Sequence, residues 1–256
     1  MIYKLKMPQE RSLIDHAKFF YDRDETLIFS ALSGIMGEVF VTEKASPRSA
    51  AVLIGDFCFF SGQCSPDFIR FICVGHDFLI LVPENEKWSQ VISETLGKNC
   101  RKVTRFATKK DTVFNTALLS AYADAIPNGF EIRPIDEKLY NIALAEEWSR
   151  DFVSLFGCYE RYRELGVGFV ALKGGFPAAG ASSYSRYSNG IEIEVDTKKE
   201  FRRIGLAKAC AARLILECLS RGLYPSWDAQ NKISLHLAES LGYTPSYEYD
   251  AYELIK

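Results

Sequence analysis

Residues 191–208, IEIEVDTKKEFRRIGLAK, decide how the rest of the 256-residue chain is read. Ile191, Ile193 and Val195 alternate with Glu192, Glu194 and Asp196, the period-two pattern of a half-buried strand. The period then changes. Beyond a polar loop, Leu206, Cys210, Leu214 and Cys218 recur every fourth residue, the apolar stripe of a helix over residues 206–219. A strand thus feeds a basic, glycine-containing turn, and the turn feeds a helix. The first turn of any helix offers backbone N–H groups without intrahelical acceptors at the positive end of the macrodipole, so it accommodates a phosphate. Gly205 lets a ligand approach the backbone, Ala207 keeps the next contact small, and Arg202 with Arg203 adds positive charge. The stretch reads as a pyrophosphate seat. It has neither the paired glycines of G-x-G-x-x-G nor a G-K-[ST], so a dinucleotide turn and a P-loop both fit poorly.

Working outward, the composition is that of an ordinary globular protein, with 48% hydrophobic and 25% charged residues. The formal net charge of −2 gives no electrostatic case for a nucleic-acid partner. No apolar run approaches the roughly 20 residues of a membrane span, and the N-terminal MIYKLKMPQERS has no apolar signal core, so no membrane partner and a cytoplasmic location are expected. Seven cysteines without C-x-x-C pairs, and only three histidines, give a zinc site little support; reduced core thiols and no metal are expected.

In the first half the periodicity predicts a helix over residues 10–21, strands over 37–42, 50–60 and 78–82, a helix over 86–96 closed by Gly97, a strand over 101–108 and a helix over 111–123. Pro127-Asn128-Gly129 supplies three turn formers in a row and marks a boundary, giving domains over residues 1–128 and 129–256. The second half then reads as a strand over 130–135, helices over 136–148 and 152–165, and strands over 168–172 and 178–187 joined through Lys173-Gly174-Gly175. The opening stretch follows, then a strand over 223–227, a helix over 232–241 and a final strand, or two, over 247–254. The fold class is mixed α/β (α+β), with a weak echo between halves of three strands followed by a helix.

This order, with R-R-I-G-L-A heading the helix after the fourth strand, resembles the GCN5-related N-acetyltransferase (GNAT) superfamily. Arg202, Gly205 and Ala207 fill its [RQ]-x-x-G-x-[GA] signature, and Asn231-Lys232-Ile233-Ser234 followed by Leu241-Gly242-Tyr243 is similar to its N-x-x-[AS] and L-G-[FY] elements. The resemblance covers residues 130–256. Through T-K-K-E-F-R-R-I-G-L-A and Y-P-S-W-D-A-Q-N the whole chain also resembles a longer branch that includes zwittermicin-type resistance acetyltransferases.

The resemblance implies a C-terminal mixed, mostly antiparallel sheet flanked by helices, an N-terminal α/β companion, and acetyl-coenzyme A as co-substrate with a small-molecule amine as acceptor. It places the pyrophosphate on the amides of Arg203, Ile204, Gly205, Leu206 and Ala207, with Arg202, Asn231 and Ser234 in the same binding set. The pantetheine arm would lie along Val195 to Thr197, where the fourth and fifth strands splay. Glu194, then Glu192, are candidate bases for amine deprotonation. Both also fit the wet face of an antiparallel strand, and Asn231 also fits a simple helix cap. The family often carries a tyrosine acid seven residues after the asparagine, where this chain has Ala238; its loss need not abolish transfer, and leaves open a slower enzyme or another donor such as Tyr243 or Ser234. A coenzyme A-binding sensor without turnover is therefore the alternative. The sequence leaves the oligomeric state open.

Overall fold

A computed structural model describes residues 1–255 and resolves the chain into two compact units, residues 1–105 with the C-terminal segment from Glu248, and Phe106–Tyr247. The expected boundary at 128/129 lies inside the second unit. Helix α5 (Thr116–Asp124), expected on the N-terminal side of it, packs instead with the second unit's core through Leu119 and Tyr122.

In the first unit the order is β1 (Ile2–Lys4), α1 (Arg11–His16), α2 (Thr26–Leu32), β2 (Glu38–Thr42), β3 (Ser49–Ile54), β4 (Phe57–Gly62), α3 (Pro66–Cys73), β5 (Phe78–Val82), α4 (Glu86–Leu96) and β6 (Cys100–Thr108), which runs on into the second. The second unit contains α5, β7 (Phe130–Pro134), α6 (Glu137–Ala145), α7 (Tyr159–Leu165), β8 (Gly168–Lys173), β9 (Phe176–Tyr187), β10 (Gly190–Thr197), α8 (Leu206–Ser220), β11 (Tyr224–Ser226), β12 (Asp228–Ala229) and α9 (Lys232–Ser240). The last strand, β13 (Pro245–Ile255), returns to the first unit and pairs antiparallel with β5.

Three expectations are corrected, and two helices are added. The helix expected over 10–21 stops at His16, and Lys18 and Phe20 then take left-handed backbone angles that no helix continues. The single strand over 50–60 is a hairpin, β3 and β4 joined at Gly55-Asp56 with Ile54 opposite Phe57. The helix over 152–165 is broken at Gly157 (φ 76°) into 3₁₀ turns and the short α7. Helices α2 and α3 were not anticipated; α2 is buried at six of its seven positions, so it lacks the polar face that makes a helix periodic.

The second unit's sheet runs β11-β10-β9-β8-β7, antiparallel except for β10 and β11. Its core lies beneath α8, where Leu206, Cys210, Ala211, Leu214 and Cys218 meet Ile191 and Ile193 from β10. That is the mostly antiparallel, helix-flanked architecture expected. The first unit has its own core, in which Phe60, Phe68, Leu79, Leu81, Trp88 and Ile92 are fully buried.

Candidate functional site

The two parallel strands of the second unit part company early. β10 pairs with β11 only over Gly190↔Tyr224, Ile191↔Pro225 and Glu192↔Ser226, while its other edge stays paired to β9 as far as Thr197. Beyond Ser226 the chain turns away: Thr108 Oγ1 donates to Trp227 O at 2.6 Å, and β12 pairs with the end of β6 through Asp228↔Ala107 and Ala229↔Phe106. Among the described residues, no strand therefore pairs with β10 on the β11 side beyond Glu192. An open edge of this kind hydrogen bonds to an extended amide-bearing chain in the way a further strand would.

The loop that follows carries four cationic side chains, Lys198, Lys199, Arg202 and Arg203, against one carboxylate, Glu200, and Lys208 adds a fifth cation in the first turn of α8. Arg203 takes φ 65°, a left-handed angle rare for a residue with a Cβ, and Gly205 takes φ 92° as the cap of the fifteen-residue α8. A Cβ built on Gly205 would meet nothing within 4 Å. Glycine is thus required by backbone angle rather than by close packing, and the space over the first turn of α8 is open. Leu206 is buried beneath it, whereas Ile204 is exposed.

Arg202 is tied down from within the loop. Its Nε donates to Thr197 O at 3.0 Å, and its guanidinium stands 3.6 Å from Asp196. The N–H of Thr197 donates to Asp196 Oδ1 at 2.6 Å. Both backbone groups of Thr197 are thus engaged, which moves the available part of the expected pantetheine edge toward Val195, itself half-buried.

Glu192 and Glu194 do not share a wet face. Glu192 is only 6% exposed, opposite Ser185 on β9 and Ser226 on β11, and Glu194, opposite Ser182, is half-buried. The reason is that residues 150–165 cover this side of the sheet: Ser182 Oγ donates to Phe152 O at 2.7 Å and lies 3.0 Å from the Tyr162 hydroxyl. Burial raises the Tyr187 phenol above its usual range, with the negative charge of Glu192 adding to the effect.

Tyr243, expected as a substitute acid, is a core residue. It is 3% exposed, its hydroxyl donates to Pro225 O at 2.6 Å, and its ring meets Phe114 and Trp227 edge-on. Burial pushes its pKa well up, Tyr224, Cys218 and Glu192 adding to this. To protonate a leaving group it would first have to release Pro225. Ala238 is fully buried, so that position faces the core and not a ligand. Asn231 caps α9, its Oδ1 accepting from the N–H groups of Ile233 and Ser234 at 2.9 and 3.0 Å, and Ser234 Oγ accepts the Trp227 indole N–H at 3.1 Å. Through Trp227 these two residues are anchored to the point where β11 leaves β10.

Three features were not found from the sequence because they are assembled from distant segments. Lys110 Nζ donates to Ser226 Oγ at 2.9 Å, at the fork of the two strands. Lys198 pairs with Glu146 at 2.7 Å and lies over the Trp148 ring, tying the end of β10 to the segment after α6. Burial raises the Asp151 carboxyl above the usual aspartate value, the Ser154 hydrogen bond and Arg150 opposing this and the charge of Asp196 on β10 adding to it.

The family model for GNAT acetyltransferases matches residues 17–252. The chain belongs to the GNAT acetyltransferase family. It is 47% identical to a GCN5-related N-acetyltransferase-like protein from Streptococcus suis 89/1591, with a TM-score of 0.92 covering 97% of this chain and 99% of that one. It is 25% identical over 240 residues, 89% of each chain, to the uncharacterized N-acetyltransferase YdfB of Bacillus subtilis (strain 168). A tandem GNAT protein from the clavulanic acid biosynthesis pathway shares the fold at a TM-score of 0.57 and 8% identity, covering 99% of this chain and 98% of its own. The family match extends well ahead of residue 130, where the motif resemblance began.

Proposed function

We propose that the protein transfers an acetyl group from acetyl-coenzyme A to a primary amine of a small molecule by direct attack. The observation that carries this reading is the open β10 edge over residues 193–197 leading into the strained, cationic turn at Arg203 and Gly205. The arrangement suits a ligand with an amide-bearing arm and a pyrophosphate. Val195 would hold the arm through its backbone, and the amides of residues 203–207, with the charges around them, would hold the phosphates. Bound there, acetyl-coenzyme A supplies the thioester.

The chain's own groups do the rest. Backbone N–H donors on the open edge of β10 stabilise negative charge developing on the carbonyl oxygen. Glu194 accepts the amine's proton, directly or through one water, because it lies beside the open edge, whereas Glu192 is enclosed where β11 is still paired. No side-chain acid is required for the departing thiolate, since an ordinary thiol has a pKa of about 8.5.

A sensor that binds coenzyme A without turnover is the second reading, favoured by the burial of Ala238 and the engaged hydroxyl of Tyr243. Calorimetry with coenzyme A tests what both share: Arg202→Ala combined with Gly205→Glu is expected to weaken binding at least tenfold. Unchanged affinity would remove both readings.

A further inference from the structure

The element order of the second unit is repeated in the first. Each contains a strand, two helices, three antiparallel strands, a crossover helix, a strand parallel to the third, and another helix. In each the parallel pair lasts three residues, Phe57↔Ile80 to Phe59↔Val82 in the first unit, after which the earlier strand stays paired only to its antiparallel neighbour. In each the next helix is capped by an asparagine: Asn85 Oδ1 accepts from Trp88 N at 3.2 Å, as Asn231 does from Ser234 N.

The copies differ where a ligand would sit. The third helical residue after the cap is Ser234 in one and Trp88 in the other, and the Trp88 indole donates to Gly62 O at 2.9 Å, on β4 beyond its pairing with β5. Glu84 takes the remaining groups there, accepting from Ser61 Oγ at 2.5 Å and Gly62 N at 3.1 Å. On another side of Gly62, a Cβ would come within 2.4 Å of the Phe19 ring. The crossover is also short. Only Gln63, Cys64 and Ser65 separate β4 from α3, which begins with Pro66, lacking an N–H, and Asp67, which repels phosphate.

We infer that the N-terminal unit is a second copy of the acetyltransferase fold whose cofactor groove is filled by its own Glu84, Trp88 and Phe19, so that each chain takes one coenzyme A, in the C-terminal unit. This rests on the coenzyme A reading of that unit. The test is titration of the full chain with coenzyme A by calorimetry, with hydrogen exchange followed at saturation. One equivalent per chain is expected, with new protection over residues 193–208 and none over 57–66 or 84–88. Arg202→Ala, a mostly exposed side chain whose loss leaves the core intact, is expected to weaken that single site about tenfold and reveal no other. Two equivalents, new protection over 57–66, or a site of undiminished affinity in Arg202→Ala would overturn the inference. Zero equivalents would instead remove the C-terminal seat, and the count of one with it.

Discussion

Gly205 shows what one residue can state and what it leaves unsaid. Its place in R-R-I-G-L-A marks the seat, but whether glycine answers to packing or to backbone angle is visible only in three dimensions, where nothing lies within 4 Å of a built Cβ and φ is 92°. Gly205→Ala is therefore expected to cost about 1 kcal/mol, from strain and not from collision, read as a lowered urea midpoint. Arg203 has no such sequence mark, because arginine is ordinarily right-handed or extended. Arg203→Gly should consequently be neutral or slightly stabilising in the same experiment, while weakening coenzyme A binding through the lost charge. The two glutamates of β10 were legible as a pair but not as unequal partners. Alternation says which residues share a face and not what covers it; here Phe152 and Tyr162 bond Ser182, opposite Glu194, and Glu192, where β11 is still paired, is the more buried of the two. Glu194→Gln is expected to lower kcat/KM by about 10²-fold or more and to abolish its acidic limb with pH. A profile that keeps that limb would reassign the base.

At the scale of elements, the strand-turn-helix of β10 and α8 was readable because both periods are long and uninterrupted, and α4 was placed to the residue by its periodicity and closing Gly97. The hairpin of β3 and β4 was read as one strand because both members are buried on both faces, which erases the alternation that separates them. The fork between β10 and β11 depends on pairing with β6, more than a hundred residues away, and no local pattern carries it. The Lys198–Glu146 pair is a similar long-range tie. Its hydrogen bond to Lys198 holds the Glu146 carboxyl below the ordinary 4.5. A depressed acid pKa contributes stability that is present above the unfolded value and is lost as pH falls through the folded one. Lys198→Ala should therefore lower stability by less than about 1 kcal/mol at pH 7, the pair being partly exposed, and the gap from wild type should close as pH drops below 4.5. In the first unit, Glu84→Ala leaves the buried Ser61 hydroxyl and the Gly62 N–H without their acceptor. An expected loss of about 1–3 kcal/mol in denaturant unfolding follows.

For the whole molecule, the family model spans residues 17–252, so the N-terminal half lies within the same family match as the half that carries the motifs. Its membership was faint in the sequence because the signature residues are absent there: the crossover is three residues long, and a tryptophan stands where the other copy has a serine. The repeat survives in strand order and pairing direction, which residue identities do not display. Among the described residues no helix is long and apolar enough to cross a membrane. The central claim is that the C-terminal unit seats acetyl-coenzyme A and passes its acetyl group to an amine. Its most direct test is release of free thiol from acetyl-coenzyme A, followed across a panel of small primary amines, with wild type set beside Arg202→Ala combined with Gly205→Glu. Thiol release that depends on at least one amine in the wild type, and falls tenfold or more in the variant, is the result predicted. Binding of coenzyme A with no amine-dependent thiol across the panel would contradict transfer and leave a sensor in its place.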